Sequence, residues 1–257
     1  MAPTTIHIRK FSLRKEQLAK LSDAERGLFF MSGHIRNELN SLNKVFGWCL
    51  RSGGEGESHT SGLAQGVQSM IYARVLAGKL LEAWSALGAT WFSSKPSLAF
   101  TQGLHPEAKA SLSALKDYFS RSNLIFDVRN SFAFHYSAEK LGEHWEEVTH
   151  GDKLQIVFGG TIGNNIDLAA EFMVNAALFK VAHPTDLEAG MQTFLDDVQS
   201  IATHFTTFLE GVTLVLLREM LGDPIADQAI EEEVTVNQSF SEVRIPYFCA
   251  PDGQKGA

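Results

Sequence analysis

Hydrophobic residues recur at intervals of three and four along most of this chain, and the interval shortens to two in three places. From Leu28 through Ile35, Leu39, Leu42, Phe46 and Leu50 the spacing predicts a helix of roughly 28 residues. Ser22-Asp23-Ala24-Glu25 opens it in the form of a capping box, and Ser52-Gly53-Gly54 with Gly56 closes it. Gly62 to Trp91 repeats the pattern through Val67, Met70, Ile71, Val75, Leu80, Leu81, Trp84 and Leu87. His105-Pro106-Glu107 places proline at a first-turn position ahead of Leu112, Leu115 and Phe119. After a corner at Ser120 to Asn123, a further helix is predicted from Leu124 to about Trp145. Asp167 to Ala182 and Asp186 to Leu221 read as helices too, the second stopped by Gly222-Asp223-Pro224.

The two-residue period appears at both ends and once between. Residues 1 to 20 set Ile6, Ile8, Phe11 and Leu13 among Arg9, Lys10, Arg14 and Lys15, which reads as an extended arm running into a short helix. That basic cluster either touches RNA or keeps the end solvated. Leu154 to Phe158, behind the turn residues His150-Gly151-Asp152, reads as a strand forming one side of a hairpin. Gly159 to Gly163 lacks the lysine and the order of a phosphate loop and is predicted to be a turn. The tail alternates through Val234, Val236, Phe240, Val243 and Ile245. The expected fold class is all-α (mainly α), an antiparallel helical bundle with a small inserted β-hairpin. A single domain is expected, with a bundle core over about 20–145, the hairpin over about 145–162, C-terminal helices over about 167–221 and an extended tail.

Composition narrows the function. With 44% hydrophobic residues in 257, the chain has ample material for a buried core. Its longest uninterrupted apolar run, Gly211 to Leu217, is far short of 18, so no membrane-spanning helix is expected. The start carries no apolar segment of the secretory kind, and two cysteines make neither a disulfide framework nor a zinc spacing, so a cytoplasmic setting is expected with both thiols buried. The nine histidines have no carboxylate or cysteine at ligand spacing, so neither a metal nor another cofactor is expected. A net charge of −8 opposes broad nonspecific binding to nucleic acid, and any RNA site must rest on a local patch.

The stretch Asp127 to Tyr136 carries the clearest chemistry, because it sets Arg129, Asn130 and His135 in an apolar segment. Arginine offers a permanently charged fork to phosphate oxygens, and histidine both takes and gives a proton near neutrality. On a straight α-helix, positions 129 and 135 stand about 120° apart, so one subunit does not aim both at one phosphate. Either Arg129 sits in an irregular first turn, or a second subunit completes the site. Tyr136 lies nearly on the face of Arg129, and Tyr136 and Lys79 are the candidate substrate contacts. His135 also shares a stripe with Val128 and Phe132, where a hydrogen-bonded core histidine is the plain alternative. Glu82, on the stripe of Ile71, Val75 and Gly78, needs a partner if buried; Lys79 or Arg74 would supply one in a structural bridge.

Arg129-Asn130-Ser131-Phe132-Ala133-Phe134-His135 resembles the motif of the HEPN superfamily, which is an arginine, a polar residue and, after four to six intervening residues, a histidine. The resemblance covers roughly residues 20 to 145 and rests on the motif helix. It implies a HEPN-like bundle that forms a homodimer with both motifs facing one cleft. It also implies metal-independent RNA cleavage in a toxin or antiphage defence system, with an antitoxin or other defence component as partner. Catalysis would fall to Arg129 and His135, with Asn130 positioning and Glu82 orienting the arginine. Some HEPN relatives keep the fold and only bind a nucleotide or a partner protein, which is the competing expectation.

Overall fold

Ser22 opens the first long helix as its sequence predicts: the Ser22 amide donates to Glu25 Oε2 at 2.7 Å and the Glu25 amide to Ser22 Oγ at 3.4 Å. These bonds satisfy two backbone donors that a helix start leaves without a partner. The structure, a computed structural model, describes residues 4–50, 57–92, 96–133, 145, 148 and 154–250. It is mainly helical, a helical bundle with short antiparallel strands.

In chain order, strand β1 is Thr4–Lys10, followed by helices α1 (Lys15–Leu18), α2 (Asp23–Cys49) and α3 (His59–Thr90). Then come α4 (Pro96–Gly103), α5 (Pro106–Phe119) and α6 (Leu124–Val128), which runs into a π-helical turn over Arg129–Ala133. Strands β2 (Ile156–Val157) and β3 (Ile166–Asp167) precede α7 (Leu168–Ala182) and α8 (Leu187–Leu221), and β4 (Ile230–Val236) is last. Most helix starts are spelled locally. His105 Nδ1 accepts from the Ala108 amide, Asn123 Oδ1 from Phe126, Asp167 Oδ1 from Ala170 and Asp186 Oδ1 from Ala189. Gly222, at φ 82°, ends α8 in the left-handed conformation that glycine adopts without steric cost.

Three expectations are corrected, and the apolar length of one helix is greater than expected. The hairpin is shorter than Leu154 to Phe158 and its second strand lies beyond 162, where Ile156 pairs with Asp167 and Val157 with Ile166. The eight-residue α4 was not expected, since two turns are too few to reveal a period. Leu187–Leu221 is, by length and composition, apolar enough to cross a bilayer, yet 56% of its most apolar stretch is buried within the protein. Cys249 is exposed, whereas Cys49 is buried as expected. The closing segment Ser52 to Gly56, the turn at His150 to Asp152, and the motif helix between Phe134 and His144 lie outside the described residues.

The described chain divides into two compact units. The first takes Met1–Ser41, Glu82–Arg121 and Ile201–Val243. Its core is aromatic: Trp84 stacks on Phe119 at 4.8 Å, and Trp91 meets Phe208 edge-on at 5.5 Å. A Cβ on Gly211 would lie 2.5 Å from Ala108 Cβ, so α8 passes α5 closely there. In the same unit β1 pairs antiparallel with β4, Ile6 opposite Val234 and Ile8 opposite Glu232. The ribbon is exposed along β1, and basic side chains of β1 meet acidic ones of β4: Arg9 lies 3.7 Å from Glu231 directly opposite, and Lys10 reaches diagonally to Glu232 at 2.5 Å.

The second unit takes Leu42–Leu81, Ser122–Ser200 and Arg244–Ala257. Leu76, Leu80, Ile125, Val128, Leu178 and Phe194 are fully buried in its core. A Cβ on Gly190 would fall 2.2 Å from the Phe179 carbonyl oxygen, so glycine is what lets the start of α8 meet the end of α7. Gln65 fastens the tail: its Nε2 donates to the Cys49 and Ile245 carbonyls at 2.9 and 3.0 Å, and its Oε1 accepts from the Tyr247 amide at 3.1 Å.

Candidate functional site

Asn123 starts α6 by accepting from the Phe126 amide, and Ile125 and Val128 anchor the short helix in the core of its unit. At Arg129 the hydrogen bonding widens from the α to the π pattern, and the π turn runs to Ala133. Such turns are rare and occur often at functional sites. Arg129 is half-buried, and its Nη1 donates to Asn130 Oδ1 at 2.9 Å. The contact fixes the Asn130 amide with its oxygen towards the guanidinium.

The π turn alters one expectation. Because each residue of a π turn advances by less than 100°, the 120° separation of positions 129 and 135 no longer follows. Arg129 does sit in an irregular turn, though five residues beyond the helix start at Leu124 rather than in its first turn, and its placement against His135 falls outside the described residues. His135 and Tyr136 lie outside the described residues.

The remaining candidates fall on α3. Glu82 is exposed, so the cost of a carboxylate on a buried face does not arise. Along the stripe on which it falls Ile71 is exposed, Val75 half-buried and only Gly78 buried; the buried apolar side chains of this part of the helix include Ala73, Leu76, Ala77, Leu80, Ala83 and Leu87. Lys79 is half-buried. Arg74 is not a partner for Glu82. It is itself 6% exposed, and its guanidinium donates to Glu171 Oε2 and Asn175 Oδ1, both at 2.8 Å.

That three-residue network on α3 and α7 is the polar feature the sequence reading missed. The signal available was Arg74 itself, an arginine in the apolar run from Met70 to Leu81, whose partners lie 97 and 101 residues away. Elsewhere, His34 and Glu38 stand 3.8 Å apart across one exposed turn of α2, in keeping with a solvated face. Among the described residues no group of three or more His, Cys, Asp or Glu is arranged to hold a metal. Comparisons with family models, with curated proteins and with solved structures each return no match.

Proposed function

We propose that this chain is a HEPN-like, metal-independent endoribonuclease of a bacterial toxin or antiphage defence system, acting in the cytoplasm as a homodimer. What carries the reading is the irregular turn at Arg129 within a helical bundle, with Asn130 holding the guanidinium at 2.9 Å. RNA supplies its own nucleophile, the 2′-hydroxyl. Cleavage then needs a base for that hydroxyl, an acid for the 5′-oxygen, and positive charge on the crowded phosphate. In this reading His135 transfers protons and Arg129 stabilises the phosphate with its permanently charged guanidinium. Asn130 aims Arg129, and Tyr136 and Lys79 contact substrate. Glu82, exposed as it is, is kept as an orienting residue only on the strength of the resemblance. An antitoxin or other defence component is the partner this function entails.

The competing reading is a noncatalytic module that binds a nucleotide or a partner protein. The net charge of −8 favours it, since no excess of positive charge draws RNA to the surface. One assay separates the two. The purified protein, in excess EDTA at neutral pH, is expected to cut RNA to products ending in a 2′,3′-cyclic phosphate. A 2′-deoxy residue at the scissile position blocks the cut. His135→Ala and Arg129→Ala are each expected to lower cleavage by about 10²- to 10⁴-fold while staying folded. No cleavage, or equal cleavage by His135→Ala, removes the nuclease and leaves the binding module.

A further inference from the structure

The second unit holds a cavity of about 650 Å3 that the RNA chemistry above does not use. Its walls are apolar: Leu63, Val67 and Met70 from α3, Phe172 and Phe179 from α7, and Leu195 from α8. That volume lies within the range of small-molecule sites, which are mostly apolar with a few placed polar groups.

Two observations set this cavity apart from a packing defect. Gly62 and Gly66 stand one turn apart on α3 and both line it, and a Cβ built on either meets nothing within 4 Å. Glycine weakens a helix interior relative to alanine, and here no neighbour demands it. Both glycines leave space empty. The second observation is Asn175, on the same wall, whose Oδ1 is turned to the buried Arg74 guanidinium. Arg74 is in turn fixed by Glu171, so the amide is oriented from behind and its two Nδ2 protons are what it offers a ligand.

The geometry points to a binding site for a neutral, mainly apolar small molecule that carries a carbonyl or similar acceptor, seated over Gly62 and Gly66 with its acceptor on Asn175 Nδ2. Neutrality follows from the lining. Among the described residues no Asp, Glu, Lys or Arg contributes to it, and the nearby charge of Arg74 is matched by Glu171. A charged ligand would lose its hydration without gaining a counterion. His59, the one titratable side chain of the lining among the described residues, is exposed.

The test uses the full chain and two dyes on one aromatic frame, N-phenyl-1-naphthylamine, which is neutral, and 1-anilinonaphthalene-8-sulfonate, which adds a sulfonate. The neutral dye is expected to bind saturably with enhanced fluorescence, and the sulfonate at least about tenfold more weakly. Gly66→Leu, which fills the space, is expected to weaken the neutral dye at least about tenfold with an unchanged far-UV spectrum. If Gly66→Leu loses its fold, Leu63→Trp fills the same space from the mouth. In competition, 2-undecanone is expected to displace the dye about two- to tenfold better than undecane, the ratio one neutral hydrogen bond provides. Asn175→Asp still accepts from Arg74 but has no donor to give, and it should abolish that ratio. Absence of saturable binding, equal binding of the sulfonate, or unchanged binding in the folded filled variant overturns the proposal. A ketone preference that survives Asn175→Asp overturns the placement of the acceptor.

Discussion

Removing the carboxylate of Glu171 is expected to destabilise the protein through Arg74 rather than through Glu171 itself. The Arg74 side chain is 8% exposed and that of Glu171 21%, so the pair is screened little by water. Glu171→Ala leaves a buried guanidinium with Asn175 as its remaining partner among the contacts described above. Breaking a buried pair from one side costs about 3–5 kcal/mol. The partial exposure of Glu171 and the surviving Asn175 bond place the expectation near the lower end, about 3 kcal/mol. For a chain of this size each kcal/mol moves the midpoint by about 2–4 °C, which gives a fall of roughly 6–12 °C by far-UV circular dichroism. Charge is the proposed cause, so the double variant Arg74→Met with Glu171→Leu should recover most of the loss, since replacing both members of a buried pair by apolar groups is often neutral or better. A shift of less than about 2 °C in Glu171→Ala, or a double variant no more stable than the single one, would refute the reasoning.

Three further outcomes follow from local geometry, and a fourth from burial. Gly190→Ala must push α7 and α8 apart, because the new Cβ meets a carbonyl oxygen rather than a yielding side chain, and a loss of about 1–3 kcal/mol or more is expected in urea unfolding. Gly33→Ala in α2, where a Cβ meets nothing within 4 Å, should instead gain about 0.5–1 kcal/mol; a loss there would contradict the open space. Ser22→Ala removes an N-cap acceptor and should cost about 1 kcal/mol in the same assay, with no effect meaning that the capping box is idle. Burial pushes the Cys49 thiol above its ordinary pKa, so a thiol reagent at pH 8 should label Cys249 quickly and Cys49 only on unfolding; prompt labelling of both would show that Cys49 is not protected.

The parts of this fold that could be read from the chain are those written within a few residues. The serine-to-glutamate box at Ser22, the aspartates ahead of α7 and α8, and the glycine at 222 each act on backbone groups three or four positions away. Long-range partners have no such spelling. Arg74 gives no sign of Glu171 ninety-seven residues on, nor does β1 of a strand beginning at Ile230. Whether Glu82 is buried could not be read, because a helical stripe identifies which residues share a face but not which face is covered. In the candidate site, the adjacency of Arg129 and Asn130 could be read, but the widened turn beneath them could not, since a π pattern is a departure from the period that sequence reading assumes.

The ribbon of β1 and β4 bears on how the proposed binding of RNA should be tested. Glu231 and Glu232 act as built-in counterions for Arg9 and Lys10, so in the intact chain these cations are partly masked from phosphate. A shortened version lacking Ile230–Val236 would bare a strand with three cationic or protonatable side chains and two isoleucines, a ready adhesive for any polyanion. Affinity for RNA gained in that way would be created by the cut. It should vanish with salt, and it should not depend on Arg129 or His135.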